Sequence, residues 1–170
     1  MISLVFGPMF SGKTTELLRH LERAALAKRR VVLLRPKVDV RPFLSHSGRE
    51  CAWLTQRFVD LKDFDASEYD VIGIDEGQFF EGLKDFCVKC SKAGKKVVVS
   101  ALHATSECDM FTPIIQLLPY CEEIVKLNAV CTKCGSEYGN YTYFLAGAKT
   151  DQVSVGGKEE YTALCKDCYP

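Results

Sequence analysis

Gly7-Pro8-Met9-Phe10-Ser11-Gly12-Lys13-Thr14 is the stretch of the chain that decides its fold. It fits the pattern G-x-x-x-x-G-K-[ST], whose glycines let the backbone curl so that its N–H groups surround a phosphate. An apolar run, residues 2–6, precedes it, and residues 14–26 follow with leucines at helical spacing. The helix would point its positive N-terminal end at the same anion. The stretch therefore predicts a P-loop, with Lys13 reaching the β- and γ-phosphates of a nucleotide and Thr14 holding Mg²⁺.

Two adjacent acids, Asp75 and Glu76, follow a second apolar run at residues 71–74. A buried strand that ends in acids is typical of the second half of such a site, the Walker-B element. There Asp75 would hold Mg²⁺ through a water molecule, and Glu76 would be free for chemistry. A kinase that acts on a neutral alcohol needs a carboxylate to take the hydroxyl proton. The chain has no Asn-Lys-x-Asp motif for reading guanine, which argues against a GTPase. A nucleoside-monophosphate kinase usually clamps a second phosphate with several arginines, and Arg41 is the only arginine in a candidate loop. Both observations favour a kinase for a neutral alcohol.

Apolar runs of strand length alternate with helical patterns through the first three quarters of the chain. Strands are predicted at 2–6, 31–34, 71–74 and 97–101, and helices at 14–26, 82–92 and 111–118. The strands are aliphatic on both faces, as parallel strands covered by helices must be. We therefore predict an α/β fold with a parallel sheet and crossover helices. The composition changes near Cys131, so we place a domain boundary between residues 1–128 and residues 129–170.

Nine cysteines are a high number for a chain of 170 residues, and they suggest that some of them bind a metal. Cys131-x-x-Cys134 and Cys165-x-x-Cys168 form two turns that together satisfy the tetrahedral four-cysteine preference of Zn²⁺. Four thiolates leave no open position, so this zinc is predicted to be structural. Cys87 and Cys90 lie in a predicted helix without a partner pair, and we interpret them as ordinary thiols. The segment between the two turns is predicted to project as a loop.

Charge and hydropathy indicate which partners and which cellular compartment to expect. Lys+Arg and Asp+Glu are equal at 22 each, and a nucleic-acid groove normally needs a basic stripe, so nucleic acid is an unexpected partner. Every apolar run is too short to span a membrane. The N-terminal stretch lacks a basic lead and a cleavage site, so no signal peptide is expected. These observations favour a cytoplasmic protein in a reducing compartment.

Longer motifs are more specific than the P-loop alone. They are Gly7 to Thr15, Ile74-Asp75-Glu76-Gly77-Gln78-Phe79-Phe80, Asp39-x-Arg41, Lys126-Leu127-x-Ala129-Val130-Cys131 and Gly156-Gly157-x-x-x-Tyr161-x-x-x-Cys165-x-x-Cys168. In order and over essentially the whole chain, they closely resemble the thymidine kinases of the cellular and poxviral type, the type II deoxynucleoside kinases. The herpesviral enzymes are unrelated to these.

The resemblance implies a RecA-like P-loop NTPase sheet with a small C-terminal zinc-binding lasso domain. It implies transfer of the γ-phosphate of ATP to the 5′-hydroxyl of thymidine, in salvage of pyrimidine deoxynucleosides for DNA synthesis. Glu76 would be the base, assisted by Lys13 and Arg41. The implied ATP, phosphate and magnesium site comprises Gly7, Pro8, Met9, Phe10, Ser11, Gly12, Lys13, Thr14, Asp39, Asp75, Glu76, Gly77 and Gln78. The implied nucleoside site comprises Met9, Phe79, Leu102, Ser106, Phe111, Thr142, Gln152, Val153, Ser154, Val155, Gly156 and Tyr161.

Residues 101–111 depart from the resembled family, whose members usually read Leu-Asp-Gly-Thr-Phe there. This chain has His103 for the Asp, Ala104 for the Gly and Ser106 for the Phe. A Phe at that position packs near the base, so its replacement predicts weaker binding of thymidine unless a neighbour, such as Phe111 or His103, fills the gap.

Two alternatives to a thymidine kinase remain open at this level. One is a related kinase for deoxyuridine or another deoxynucleoside. The other is a zinc-ribbon P-loop ATPase that binds nucleic acid, against which the balanced charge and the Asp75 to Phe80 run speak. The resemblance further implies a homotetramer and inhibition by the end-product triphosphate.

Overall fold

A six-stranded parallel sheet forms the centre of the computed structural model, which describes residues 1–37, 54–145 and 160–170. The strands are β1 (Ile2–Gly7), β2 (Val31–Pro36), β3 (Thr55–Val59), β4 (Val71–Ile74), β5 (Lys96–Leu102) and β6 (Glu123–Lys126). Their order across the sheet is β3-β2-β4-β5-β1-β6, and every neighbouring pair is parallel. The α/β fold and its parallel sheet are therefore confirmed, and the four predicted strands are present.

The two edge strands, β3 and β6, were not predicted. β3 reads Thr-Gln-Arg-Phe-Val, and β6 reads Glu-Ile-Val-Lys with three of its four residues exposed. Each has a neighbour on one side only, so neither needs the uniformly aliphatic composition of the buried strands. Hydrophobic pattern alone therefore finds the centre of this sheet and misses its edges.

Helices cover both faces of the sheet. They are α1 (Lys13–Leu26), α2 (Leu83–Lys92) and α3 (Thr112–Leu117), all close to the predicted positions. On one face, α1 buries Leu17 and Leu21 against β2, β4 and β5. A methyl group on Gly73 of β4 would lie 2.5 Å from Leu21 Cδ1, so glycine lets the helix approach the sheet. On the other face, α2 and α3 bury their apolar residues against the sheet. Among the described helices, none is long and apolar enough to cross a membrane.

Parallel pairing brings the functional strand ends to one edge. β5 lies between β1 and β4, with Gly7 paired to Leu102 and Ile74 paired to Val99. The P-loop follows β1, and Asp75 and Glu76 follow β4. In parallel α/β sheets, ligands bind outside the carboxyl ends of the strands, so this edge is the place to look for a site.

A second, smaller sheet follows in the C-terminal quarter. β7 (Tyr141–Phe144) and β8 (Tyr161–Leu164) pair antiparallel, and Ala129 bridges Gly139 beside them. Cys131, Leu164 and Cys165 form a small apolar cluster of their own, with Tyr143, Cys168 and Tyr169 packed against it. We call residues 129–145 and 160–170 the C-terminal unit. A separate cluster is what a boundary near residues 128 and 129 predicts, and the boundary itself stays a prediction.

Candidate active site

The P-loop is a tight turn that joins β1 to α1. Gly12 has φ 82° and Phe10 has φ 64°, two left-handed positions in one short loop. At Gly7, a methyl group would lie 2.5 Å from the Leu127 carbonyl oxygen, so only glycine fits there. Ser11 Oγ donates to the Pro8 carbonyl oxygen at 2.9 Å, and Lys13 Nζ donates to the same oxygen at 2.6 Å. The predicted strand, loop and helix are therefore present, and the side chains of Ser11 and Lys13 hold the loop backbone.

Asp75 is buried, and its carboxylate contacts the last residue of the P-loop. Thr14 Oγ1 donates to its Oδ1 at 3.2 Å, and Ser100 Oγ on β5 donates to the same oxygen. Burial raises the pKa of Asp75 to about 6, and the adjacent Glu76 carboxylate acts in the same direction, whereas the Ser100 and Thr14 hydrogen bonds oppose it. A hydroxyl and a carboxylate side by side are oxygen ligands that suit Mg²⁺. Sequence reasoning missed Ser100, because nothing in the strand pattern distinguishes it from a core residue.

Glu76 has a left-handed backbone with φ 54°, which costs a residue other than glycine about 1–3 kcal/mol. Gln78 holds its side chain: Nε2 donates to Glu76 Oε2 at 2.7 Å. The same amide accepts from Leu102 N–H at 3.0 Å through its Oε1, which fixes the orientation of the amide. Gln78 is only 5% exposed. Predicted as a nucleotide-binding residue, Gln78 contacts Glu76 and the end of β5.

The C-terminal unit touches the P-loop directly. Thr142 on β7 is buried, and its Oγ1 accepts a hydrogen bond from Met9 N–H at 3.0 Å. Both residues were predicted to contact a nucleoside, and the structure brings them together. At the end of β6, Lys126 Nζ donates to the Leu127 carbonyl at 3.0 Å, to Asn128 Oδ1 at 2.8 Å and to Asn140 Oδ1. These hydrogen bonds join the segment between β6 and β7 to the end of β6, the strand that pairs with β1.

The remaining candidates for a nucleoside site lie on several different elements. Phe111 packs against the main core at the start of α3, and Tyr161 packs on Phe144 with ring centroids 5.1 Å apart. Phe79 is half-buried beyond the acids, and Ser106 is half-buried in the turn after β5. Asp39, Arg41 and residues 152–156 lie outside the described residues.

His103 is packed beside the P-loop. Its backbone N–H donates to the Gly7 carbonyl at 3.3 Å, and its ring meets Phe6 edge-on with centroids 6.5 Å apart. Burial lowers the pKa of His103, and the ammonium groups of Lys126 and Lys13 act in the same direction. The lowered pKa favours the neutral form of the imidazole, and hydrogen bonds with the Gly7 and Asn140 backbone act in the opposite direction.

The four cysteines of the two C-x-x-C turns converge. The sulfur atoms of Cys131, Cys134, Cys165 and Cys168 all lie within 4.8 Å of one another, and Cys134 Sγ is 3.6 Å from Cys165 Sγ. Zn–S bonds of about 2.3 Å in a tetrahedron put sulfurs about 3.8 Å apart, so the cluster fits Zn²⁺. Burial acts to raise the pKa of the Cys131 thiol, but hydrogen bonds from the N–H groups around it lower that pKa to about 6. Cys87 and Cys90 are buried in α2, which agrees with their interpretation as ordinary thiols, and burial raises the pKa of both.

Comparison with known proteins agrees with this geometry. The family model described as Thymidine kinase matches residues 1–169. The chain is 36% identical to the thymidine kinase of Rabbit fibroma virus (strain Kasza), over 99% of this chain and 95% of the relative. It is 41% identical to the cytosolic thymidine kinase of Gallus gallus, over 99% of this chain and 76% of the relative. It is 37% identical to the thymidine kinase of Raccoon poxvirus, over 99% of this chain and 96% of the relative.

Proposed function

Because the chain belongs to the thymidine kinase family, we propose that it transfers the γ-phosphate of ATP to the 5′-hydroxyl of thymidine, giving thymidine 5′-monophosphate. The observation that carries this proposal is the convergence of the P-loop and the two acids at one edge of the sheet. Thr14 contacts Asp75, and Glu76 follows it with its carboxylate held by Gln78. Positioning and charge stabilisation are what phosphoryl transfer requires of a protein.

Each of these residues has a role that its position supports. The N–H groups of the P-loop and Lys13 would bind the phosphates, and Thr14 and Asp75 would hold the Mg²⁺ that offsets phosphate charge when bound. Glu76 would accept the proton of the 5′-hydroxyl, since it is the half-buried carboxylate beside this site. Gln78 would keep that carboxylate in one orientation. Arg41, with Asp39, remains a proposed helper at the phosphates.

Several finer features belong to the same proposal. We propose a RecA-like arrangement, which the position of β5 between β1 and β4 supports. We propose a zinc-binding lasso domain over residues 129–170, supported by the four converging sulfurs. In it, residues 152–156, Thr142 and Tyr161 would contact the nucleoside. A homotetramer, a cytoplasmic location and feedback inhibition by the end-product triphosphate are proposed from the resemblance.

One observation favours a second candidate substrate. Ser106, Ala104 and His103 replace residues that the resembled family carries in the turn after β5. A smaller side chain at position 106 leaves the base less tightly enclosed, which favours broader use of pyrimidine deoxynucleosides such as deoxyuridine.

A phosphate-transfer assay with ATP, Mg²⁺ and each deoxynucleoside in turn tests the proposal. Thymidine should give the highest kcat/KM, with deoxyuridine next and purine deoxynucleosides near background. A higher kcat/KM for another deoxynucleoside would replace thymidine as the substrate. Phosphorylation of none of them would overturn the proposed function.

A further inference from the structure

Tyr169 reaches from the C-terminal unit to the turn that follows β5. It comes directly after Cys168, and its backbone N–H donates to the Cys165 carbonyl at 3.0 Å. Its ring stacks on Tyr141 with centroids 4.6 Å apart and meets Tyr143 edge-on at 5.9 Å. Its hydroxyl donates to the Ser106 carbonyl oxygen at 2.8 Å. The ring thus belongs to the C-terminal unit, and the hydroxyl bonds a different part of the chain.

The turn that receives this hydrogen bond is closed on itself. Thr105 N–H donates to the Asp109 carbonyl at 2.9 Å, and Cys108 N–H donates to the Thr105 carbonyl at 3.2 Å. Thr105 Oγ1 accepts from the N–H groups of Glu107 and Asp109, both at 3.2 Å. Cys108 has the left-handed φ of 68° that such a turn needs. Residues 105–109 are therefore joined by hydrogen bonds within the turn, so we expect a contact at Ser106 to influence the position of the whole turn.

β7 connects Tyr169 to the P-loop as well. Successive side chains of a strand point to opposite faces, so Tyr141 and Tyr143 share one face and Thr142 takes the other. The tyrosines pack on Tyr169, while Thr142 accepts from Met9 N–H. β7 and Tyr169 together thereby link the turn after β5 to the phosphate loop, through the hydrogen bond from Tyr169 to Ser106 and the one from Met9 to Thr142.

We propose that Tyr169 is a positioning residue whose hydroxyl sets the distance between the turn at residues 105–109 and the P-loop, and with it the width of the nucleoside side of the site. The inference rests on the proposed function and adds a specificity-determining residue to it. Packing of the C-terminal unit needs only the aromatic ring, which Phe would supply. The hydroxyl donates a hydrogen bond to the Ser106 carbonyl, so its removal should weaken binding of the nucleoside and leave binding of ATP unchanged.

Tyr169→Phe isolates that hydroxyl, because it keeps the ring and its stacking. The variant loses the hydrogen bond to the Ser106 carbonyl and the weaker one that the hydroxyl accepts from Cys108 Sγ at 3.7 Å. We expect KM for thymidine to rise by about 3- to 10-fold, with kcat and KM for ATP within about two-fold of the parent. Zinc content should be unchanged. The matched control is Tyr138→Phe, on a tyrosine of the same unit that is 73% exposed, and it should leave every parameter unchanged. A parental KM for thymidine in Tyr169→Phe, or equal rises in both KM values, would overturn the inference.

Amide hydrogen exchange gives a readout that does not depend on which substrate is used. In Tyr169→Phe, exchange over residues 103–111 should be faster than in the parent, while exchange in α1 stays the same. Unchanged exchange over residues 103–111 would also overturn the inference. If the parent phosphorylates another deoxynucleoside, the proposed substrate is wrong, and the KM comparison is made with that nucleoside. If Tyr169→Phe loses zinc or fails to fold, Tyr169 is a structural residue and the inference is wrong.

Discussion

The phosphate side and the nucleoside side of the site are built in different ways. The phosphate side is made by one short stretch, residues 7–14, and by the acids at the end of β4, all held by central strands of the sheet. The nucleoside side is assembled from remote segments: Met9 and Thr142 are 133 residues apart, and Ser106 and Tyr169 are 63 apart. The phosphate side also contains a long-range contact, since Thr14 and Asp75 are 61 residues apart, but both residues follow central strands of the sheet. The contacts on the nucleoside side reach into the C-terminal unit, so the two sides should respond to substitution separately.

The largest expected effect is on the phosphate side, at Glu76. Glu76→Gln keeps the size of the side chain and removes the basic carboxylate, so kcat should fall by roughly 10²–10⁴. Binding of ATP should survive, because Lys13 and Thr14 are unchanged. Steady-state kinetics and equilibrium binding of ATP measure the two effects, with the exposed Glu81→Gln as the control. Turnover of Glu76→Gln within a few-fold of the parent would remove Glu76 from the role of base.

The next effect tests the zinc proposal in the C-terminal unit. Elemental analysis should find one Zn²⁺ per chain, and the pair Cys131→Ser with Cys165→Ser should abolish it. The melting temperature should fall by more than about 5 °C, because structural zinc contributes directly to folding. Cys87→Ser changes a buried thiol of α2 and should retain the metal, which makes it the matched control. Zinc retained by the double variant would contradict the assignment of the ligands.

A smaller effect is expected at Gln78, which holds the Glu76 carboxylate. Gln78→Leu removes a hydrogen bond to a charged group, and such bonds contribute about 1.5–3 kcal/mol, so kcat should fall by about ten-fold or more. KM for ATP should change little, since the P-loop is untouched. The exposed Gln116→Leu in α3 is the control and should behave as the parent. A parental kcat would show that Glu76 does not need Gln78.

The smallest expected effect is on the nucleoside side, at Ser106, and concerns KM for thymidine. Ser106→Phe restores the residue of the resembled family, and stacking of a base on an aromatic ring contributes about 1–3 kcal/mol in nucleic-acid proteins. KM for thymidine should fall by about five-fold or more, and KM for ATP should stay level. If KM for thymidine rises or stays level, Ser106 does not face the base, and it should be dropped from the site.

The same division separates what the sequence could predict from what it could not. The P-loop, the acids and the cysteine turns are short patterns in which spacing alone implies geometry, and the structure brings each of them together. The central strands are aliphatic throughout and were predicted, whereas β3 and β6 are edge strands with mixed composition. Ser100 and Tyr169 act through contacts between residues far apart in the chain, and Gln78 acts through a side-chain hydrogen bond to Glu76 two residues away. No local periodicity encodes such contacts, so they became visible only with the structure.

The most direct test of the central claim is the stoichiometry of products when the purified protein turns over ATP with thymidine. The account predicts one thymidine 5′-monophosphate for each ADP, formation of both lost together in Glu76→Gln, and no stimulation by nucleic acid. ADP released without thymidine 5′-monophosphate, at a rate that DNA or RNA raises, would contradict it and would identify a nucleic-acid-dependent ATPase instead.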